Sequence, residues 1–226
     1  MKLLSKFLLL SLFSSVVALA QKPKIYYVAD PMCSWCYGFT PELEYLLQKY
    51  SSVLDFEIMV GGLNTESNRK LDQETRDSFK DHWKSINKET GMTFNESILN
   101  NKELVYNTEL ACRAVVTMKA LKPEKHIEYF KLLQKSFYAN NKNINNKTVL
   151  IELATEMGID KDLFISKLDD AEIKKATKES FERVERNGIE GFPALVFVSE
   201  KETKIICSGY TKRQKIEKNL EKLLNK

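Results

Sequence analysis

Apolar and polar positions repeat with two different periods along this chain, and the places where the period changes mark out its architecture. Lys24-Ile25-Tyr26-Tyr27-Val28-Ala29 is a short run rich in β-formers, closed by Asp30-Pro31 as a turn signal. From Cys36 onward Phe39, Leu43, Leu46, Leu47 and Tyr50 recur at helical spacing and predict an amphipathic helix. Residues 53–60 make a second strand, stopped by Gly61-Gly62. Strand, helix and strand in that order form a βαβ unit.

Between about residues 64 and 170 the signal is helical, with little β-alternation. Helices are expected over 71–89, 109–120, 125–138 and 146–157, the last stopped by Gly158. A further helix covers 171–186, and Asn187-Gly188 and Gly191 mark turns after it. Residues 194–198 read as a buried strand, 204–207 as its hairpin partner, and Gly209 precedes a closing helix over 211–224. The expected fold is α/β, with a large all-helical insertion between the second and third strands. It divides into 21–63, an N-terminal βαβ part; 64–170, the insertion; and 171–226, the C-terminal part.

The first twenty residues depart from this pattern. Lys2 and Lys6 precede an apolar run over 7–19, and Ala18-Leu19-Ala20 supplies the small residues a signal peptidase requires. The run is shorter than the roughly 20 apolar residues a membrane span needs, and serines interrupt it. Residues 1–20 therefore read as a secretory signal, with the mature chain periplasmic or secreted after cleavage near Ala20. Cleavage removes two lysines from a chain of net charge +4, leaving +2, which implies no nucleic acid or other polyanion as partner. With 226 residues, 43% of them apolar, the chain can bury one substantial core.

The chemistry concentrates in Cys33-Ser34-Trp35-Cys36, where a strand hands the chain to a helix. Two thiols two residues apart on a first helical turn can close and open a disulfide without large backbone movement. Free N–H groups and the positive end of the helix dipole favour a thiolate at the more N-terminal cysteine, so Cys33 is the expected nucleophile and Cys36 the resolving thiol. Ser34 and Trp35 carry no charge and would tune the pair through hydrogen bonding, backbone geometry and packing. A lone C-x-x-C also fits half a zinc site or a structural disulfide. Zinc would need more ligands, yet Cys112 and Cys207 are isolated and His82 and His126 have no ligand-like spacing to the tetrad. No metal and no cofactor beyond the cysteine pair is expected. Cys112 and Cys207 read as small buried hydrophobes, with a second disulfide between them left open.

Asp30-Pro31-Met32-Cys33-Ser34-Trp35-Cys36-Tyr37-Gly38-Phe39 resembles the active-site segment of DsbA-like proteins, in the FrnE-like branch of predicted disulfide isomerases. The resemblance extends to Gly61-Gly62-Leu63, to Asn107-Thr108-Glu109-Leu110-Ala111-Cys112-Arg113-Ala114 and to Gly191-Phe192-Pro193-Ala194. It implies a thioredoxin fold in which Pro193 is a cis-proline beside the cysteine pair. The backbone of Phe192 would then pair with an extended substrate, and its side chain would help set substrate choice.

Two departures stand out. DsbA and thioredoxin carry an acid six positions before the first cysteine, but here that position is Tyr27, and Asp30, the nearest acid, reads as a turn or cap residue. The Ser34-Trp35 dipeptide matches neither relative, so oxidant strength does not transfer. The first expectation is a monomeric disulfide oxidase or isomerase acting on exported protein thiols or disulfides, reset by a redox partner. The rivals are a glutathione-dependent transferase or isomerase on the same fold, and a non-catalytic module that holds clients on the helical insertion.

Overall fold

The computed structural model describes residues 22–225, so the expected signal segment lies outside the described residues. Strand β1 (Lys24–Ala29) runs parallel to β2 (Asp55–Val60), in register from Lys24 opposite Asp55 to Ala29 opposite Val60. The chain between them forms two helices, α1 (Ser34–Gly38) and α2 (Thr40–Tyr50), where the hydrophobic spacing predicts one. Pro41 is the cause. It lies in the first turn of α2 and has no N–H to give the Tyr37 carbonyl, so the ladder breaks at Phe39. The break frees the short α1 to carry the cysteines while α2 buries Leu43 and Leu46.

After β2 the chain is helical: α3 (Gln73–Thr90), a 3-10 turn (Glu96–Asn100), α4 (Glu109–Leu121), α5 (His126–Tyr138), α6 (Lys147–Glu156), α7 (Lys161–Leu168) and α8 (Ala171–Arg186). Local chemistry sets several starts. Asp72, Asn146, Asp160 and Asp170 each accept a backbone N–H of the first turn that follows, as at Asp160 to Leu163 N, 2.9 Å. Gly91, at φ 75°, closes α3 in the left-handed conformation. The eight-residue α7 has only two fully buried positions, Phe164 and Leu168, too few to announce a helical period in the sequence.

Strands β3 (Ala194–Val198) and β4 (Thr203–Ser208) form an antiparallel hairpin, and α9 (Arg213–Leu224) closes the chain. The sheet order is β2-β1-β3-β4, with β3 antiparallel to β1. This is a thioredoxin fold with the large helical insertion between its second and third strands. The insertion does not stand apart: Tyr129, Phe130, Phe137 and Tyr138 of α5 are fully buried in the same cluster as Tyr27, Cys36 and Phe39. The Tyr27 and Phe130 rings meet edge to face at 5.7 Å. The cysteine pair therefore sits where the sheet end and the insertion meet.

Candidate active site

Cys33 caps the N-terminus of α1 in extended backbone geometry, and its carbonyl accepts the first helical bond, from Tyr37 N at 3.0 Å. One helical turn on, Cys36 points inward. Cys33 is 6% exposed and Cys36 0%, so only the first sulfur can meet a partner. Burial pushes the Cys36 thiol well above its ordinary pKa; the Cys33 sulfur adds to the rise, and the backbone N–H of Asp30 opposes it. No disulfide links any of the four cysteines.

The Phe192–Pro193 peptide bond is cis, as the resemblance implies. It brings the Phe192 carbonyl to 3.9 Å from the Cys33 sulfur, which donates to it. The Phe192 ring lies over Gly61: a Cβ added there would meet the ring's Cζ at 2.1 Å. The adjoining Gly62, at φ 68°, gives the Phe181 ring the same clearance. The Gly61-Gly62 pair that ends β2 is thus a floor for two aromatic rings. Ser34 and Trp35 are half-buried at the surface, and the Trp35 ring sits between His82, 5.9 Å away edge to face, and Tyr210, 5.4 Å away.

Beneath the pair the structure adds residues that the tetrad alone does not point to. Tyr27, in the place of the missing acid, is fully buried, and its hydroxyl donates to the Cys36 carbonyl at 3.3 Å. Burial pushes that hydroxyl well above the ordinary phenol value. Asp30 makes the expected turn, accepting Met32 N at 2.8 Å on Oδ1, but it does more. It is fully buried, and Oδ2 accepts Leu63 N at 2.8 Å and the Cys112 thiol at 3.3 Å. Burial raises the Asp30 pKa, against the pull of the Leu63 N–H, the Thr108 hydroxyl, the Met32 N–H and the Cys112 thiol. Cys112, read from the sequence as a small buried hydrophobe, is therefore also a ligand of this carboxyl. Cys207 behaves as expected, buried on β4, where burial pushes its thiol up to about 11.

The Met32 carbonyl, one residue before the nucleophile, accepts the hydroxyls of both Tyr106 and Tyr138. The signal for Thr108 and Cys112 was present as a four-residue spacing at the start of α4; the tyrosines gave none, because their contacts join segments 74 and 106 residues apart. His82 and His126 stay apart from the pair in different ways. His82 meets the Trp35 ring edge to face, whereas His126 is buried against Ile58. Among the described residues no cluster of three or more His, Cys, Asp or Glu could hold a metal.

A family model described as thioredoxin matches residues 26–218. Among solved structures, the chain resembles a "putative protein disulfide isomerase" from Nitrosomonas europaea at 36% identity, with a TM-score of 0.84 over 91% of this chain and 98% of that one. It resembles the cytosolic disulfide reductase DsbM from Pseudomonas aeruginosa at 22% identity, with a TM-score of 0.74 over 89% and 98% of the two chains; that protein is also solved with GSH. Among curated proteins it is similar to the ClpXP adapter protein SpxH of Halalkalibacterium halodurans, 22% identical over 187 residues, 80% of this chain. The chain spans about 60% of the length of the SpxH proteins it matches. A family match across both halves of the sheet, joined to a cysteine pair beside a cis-proline, makes this chain a member of the thioredoxin family, of the DsbA-like kind.

Proposed function

We propose that this protein is a thiol-disulfide oxidoreductase for exported proteins, working through Cys33 and Cys36 as a disulfide oxidase or isomerase. The observation that carries the reading is the asymmetry of the pair. Cys33 keeps a small exposed area, 6%, where it caps a helix beside the Phe192 carbonyl, and Cys36, at 0%, is sealed behind it. That arrangement admits one external sulfur at a time. In the reducing direction the Cys33 thiolate attacks a substrate disulfide, forming a Cys33–substrate bond and releasing one substrate thiolate. Cys36 then loses its proton and attacks Cys33, the mixed bond breaks, and the second substrate thiolate leaves with the electron pair. Oxidation of a substrate runs the same steps backward.

The Phe192 backbone edge beside Cys33 suits an extended peptide, and Trp35 and Tyr210 extend the apolar surface on the other side. Residues 21–63 and 171–226 act as the redox scaffold, and the insertion, 64–170, roofs the pair. The signal-like segment 1–20 supports export, and the protein is taken to act as a monomer reset by a separate redox protein.

Cys36→Ser tests the reading. It should accumulate a mixed disulfide between Cys33 and a protein substrate, visible by mass, while Cys33→Ser forms none. Equilibration of the pair in glutathione buffers then sets the direction: about −120 to −180 mV fits an oxidant or isomerase and about −270 mV a reductant. A pair that never titrates sinks the proposal. The SpxH similarity favours one second reading, a client-holding adapter. It predicts that the Cys33→Ser/Cys36→Ser protein still protects a client from aggregation.

A further inference from the structure

The sheet has two faces, and only one of them is fully covered. Side chains alternate along each strand, so Tyr27, Ile58, Leu195 and Phe197 enter the large core that also holds Cys36. Tyr26, Met59, Val196 and Val198 belong to the opposite face and stay partly exposed. There Val184 and Ile189 cover Val28 and Ala194 in a small second cluster. Ser180 of α8 donates to the Val60 carbonyl at 2.8 Å, which pins that helix at one end of β2.

Away from this cover the open face holds two adjoining cavities. One, of about 360 Å³, lies between β2, α4 and α8, with Met59, Val115, Val116, Ile173 and Ala176 in its walls. The other, of about 430 Å³, lies over β3 and β4. Tyr26, Met59 and Arg183 line both, so Arg183 stands where the two meet. We propose that the cavity between β2, α4 and α8 binds an aliphatic carboxylate, with its head group on Arg183 and its chain against Met59, Val116 and Ile173.

Charge selects the head group. Glu57, Lys119, Glu179 and Arg183 are the charged residues of the lining. Glu57 is held by Lys119 and Lys24, and Glu179 by Lys175 at 3.9 Å. Arg183 is left over: among the described residues nothing pairs with its guanidinium. A guanidinium fork fits a carboxylate through two parallel bonds. The Tyr26 hydroxyl, also without a partner among the described residues, is a second donor on the boundary that the cavities share.

The backbone selects the chain. Strands β1 and β3 are paired on both sides. At the outer edge of β2 the Ile58 N–H is taken by His126 and the Val60 carbonyl by Ser180. An added peptide strand finds no free ladder beside this cavity, whereas a hydrocarbon chain needs none. The volume falls within the usual range for small-molecule sites.

Decanoate is the probe. Titrated calorimetrically into the full chain below its micelle concentration, it should bind saturably at one site per chain. Octanoate, with two fewer methylenes to bury, should bind about tenfold more weakly. Arg183→Gln should weaken decanoate about tenfold, as loss of a charged hydrogen-bonding partner does. Ala176→Trp, which fills the cavity from its rim, should abolish binding. Both side chains are exposed, so neither substitution disturbs the core.

Failure of decanoate to bind the wild type overturns the proposal. So does equal affinity for decyltrimethylammonium, which would make the cavity an apolar patch with no choice of charge. Binding to phosphatidylglycerol vesicles without binding of free decanoate would overturn it in favour of a bilayer surface. A chain that sediments as a dimer, and as a monomer once Ala176→Trp is made, would overturn it in favour of a second copy on this face. The cysteine pair lies with the opposite face, so none of these outcomes bears on the exchange chemistry.

Discussion

At the scale of single residues, the site depends on an absent side chain as much as on the sulfurs. Three atoms of the Phe192 ring lie within 3 Å of the place a Gly61 Cβ would take, so Gly61→Ala must push the ring and, with it, the carbonyl beside Cys33. The cost should be about 1–3 kcal/mol, as for other overpacked sites. Urea unfolding of Gly61→Ala should show that loss, and Gly61→Ala/Phe192→Leu should recover most of it. Alkylation of Cys33 by iodoacetamide should change in Gly61→Ala, because the carbonyl that the thiol meets has moved. A stability loss that the second substitution does not relieve would mean that Gly61 matters for its backbone alone. The two cysteines stand out in the sequence as a short contiguous motif, whereas the cis bond at Pro193 and the place of Phe192 beside the pair were expected only from the family resemblance. Asp30 was legible as a turn but not as a buried acid, because two of its three partners, Leu63 N and the Cys112 thiol, come from residues 33 and 82 positions away.

At the scale of elements, the strands and most helices follow from hydrophobic period, and the exceptions have local causes. Pro41 splits the first helix, and α7 is too short to declare itself. What the period does not disclose is how the segments between elements are held. Arg76 of α3 is one answer. It is buried, with 6% exposure, and its guanidinium donates to the Leu71 carbonyl at 3.1 and 2.9 Å, to Asn101 at 2.8 Å, and to Leu99. One side chain thus ties the start of α3 to the segment leading into Tyr106, whose hydroxyl reaches the Met32 carbonyl beside the nucleophile. Arg76→Met would take the guanidinium donors from one buried carbonyl, Leu99, and two part-buried ones, Leu71 and Asn101, a loss of about 2–4 kcal/mol. Arg76→Lys should recover only part, since a single ammonium cannot reproduce the guanidinium fork. Chemical denaturation of the two variants checks the order; equal stability of all three proteins would show that the segment is held without this residue.

At the scale of the whole molecule, the question is how an insertion of roughly a hundred residues stays joined to a four-stranded sheet. Part of the answer is His126, at the start of α5. Strand β2 is an edge of the sheet, and its Ile58 N–H, which no neighbouring strand can accept, donates to His126 Nε2 at 3.0 Å. Nδ1 of the same ring lies 2.5 Å from the Pro123 carbonyl. One nitrogen must accept and the other must donate, so the ring fits this place only when neutral, with its proton on Nδ1. Burial lowers the His126 pKa below the ordinary histidine value; the Pro123 carbonyl opposes the shift, and the nearby Lys119 adds to it. The sign for stability follows. Between the folded pKa and the ordinary value of about 6.5 the unfolded chain binds the extra proton and the folded chain does not, so the contribution is complete above that value and is lost as pH falls through the folded pKa. The urea midpoint of the wild type should therefore drop between pH 7 and pH 5. His126→Gln, which offers Ile58 an amide oxygen that does not titrate there, should be less stable at pH 7 but should show a shallower drop. Parallel pH profiles for the two proteins would place the acid sensitivity elsewhere and leave His126 as a packing residue. A steeper wild-type profile would identify His126 as the pH-dependent link between the insertion and the sheet.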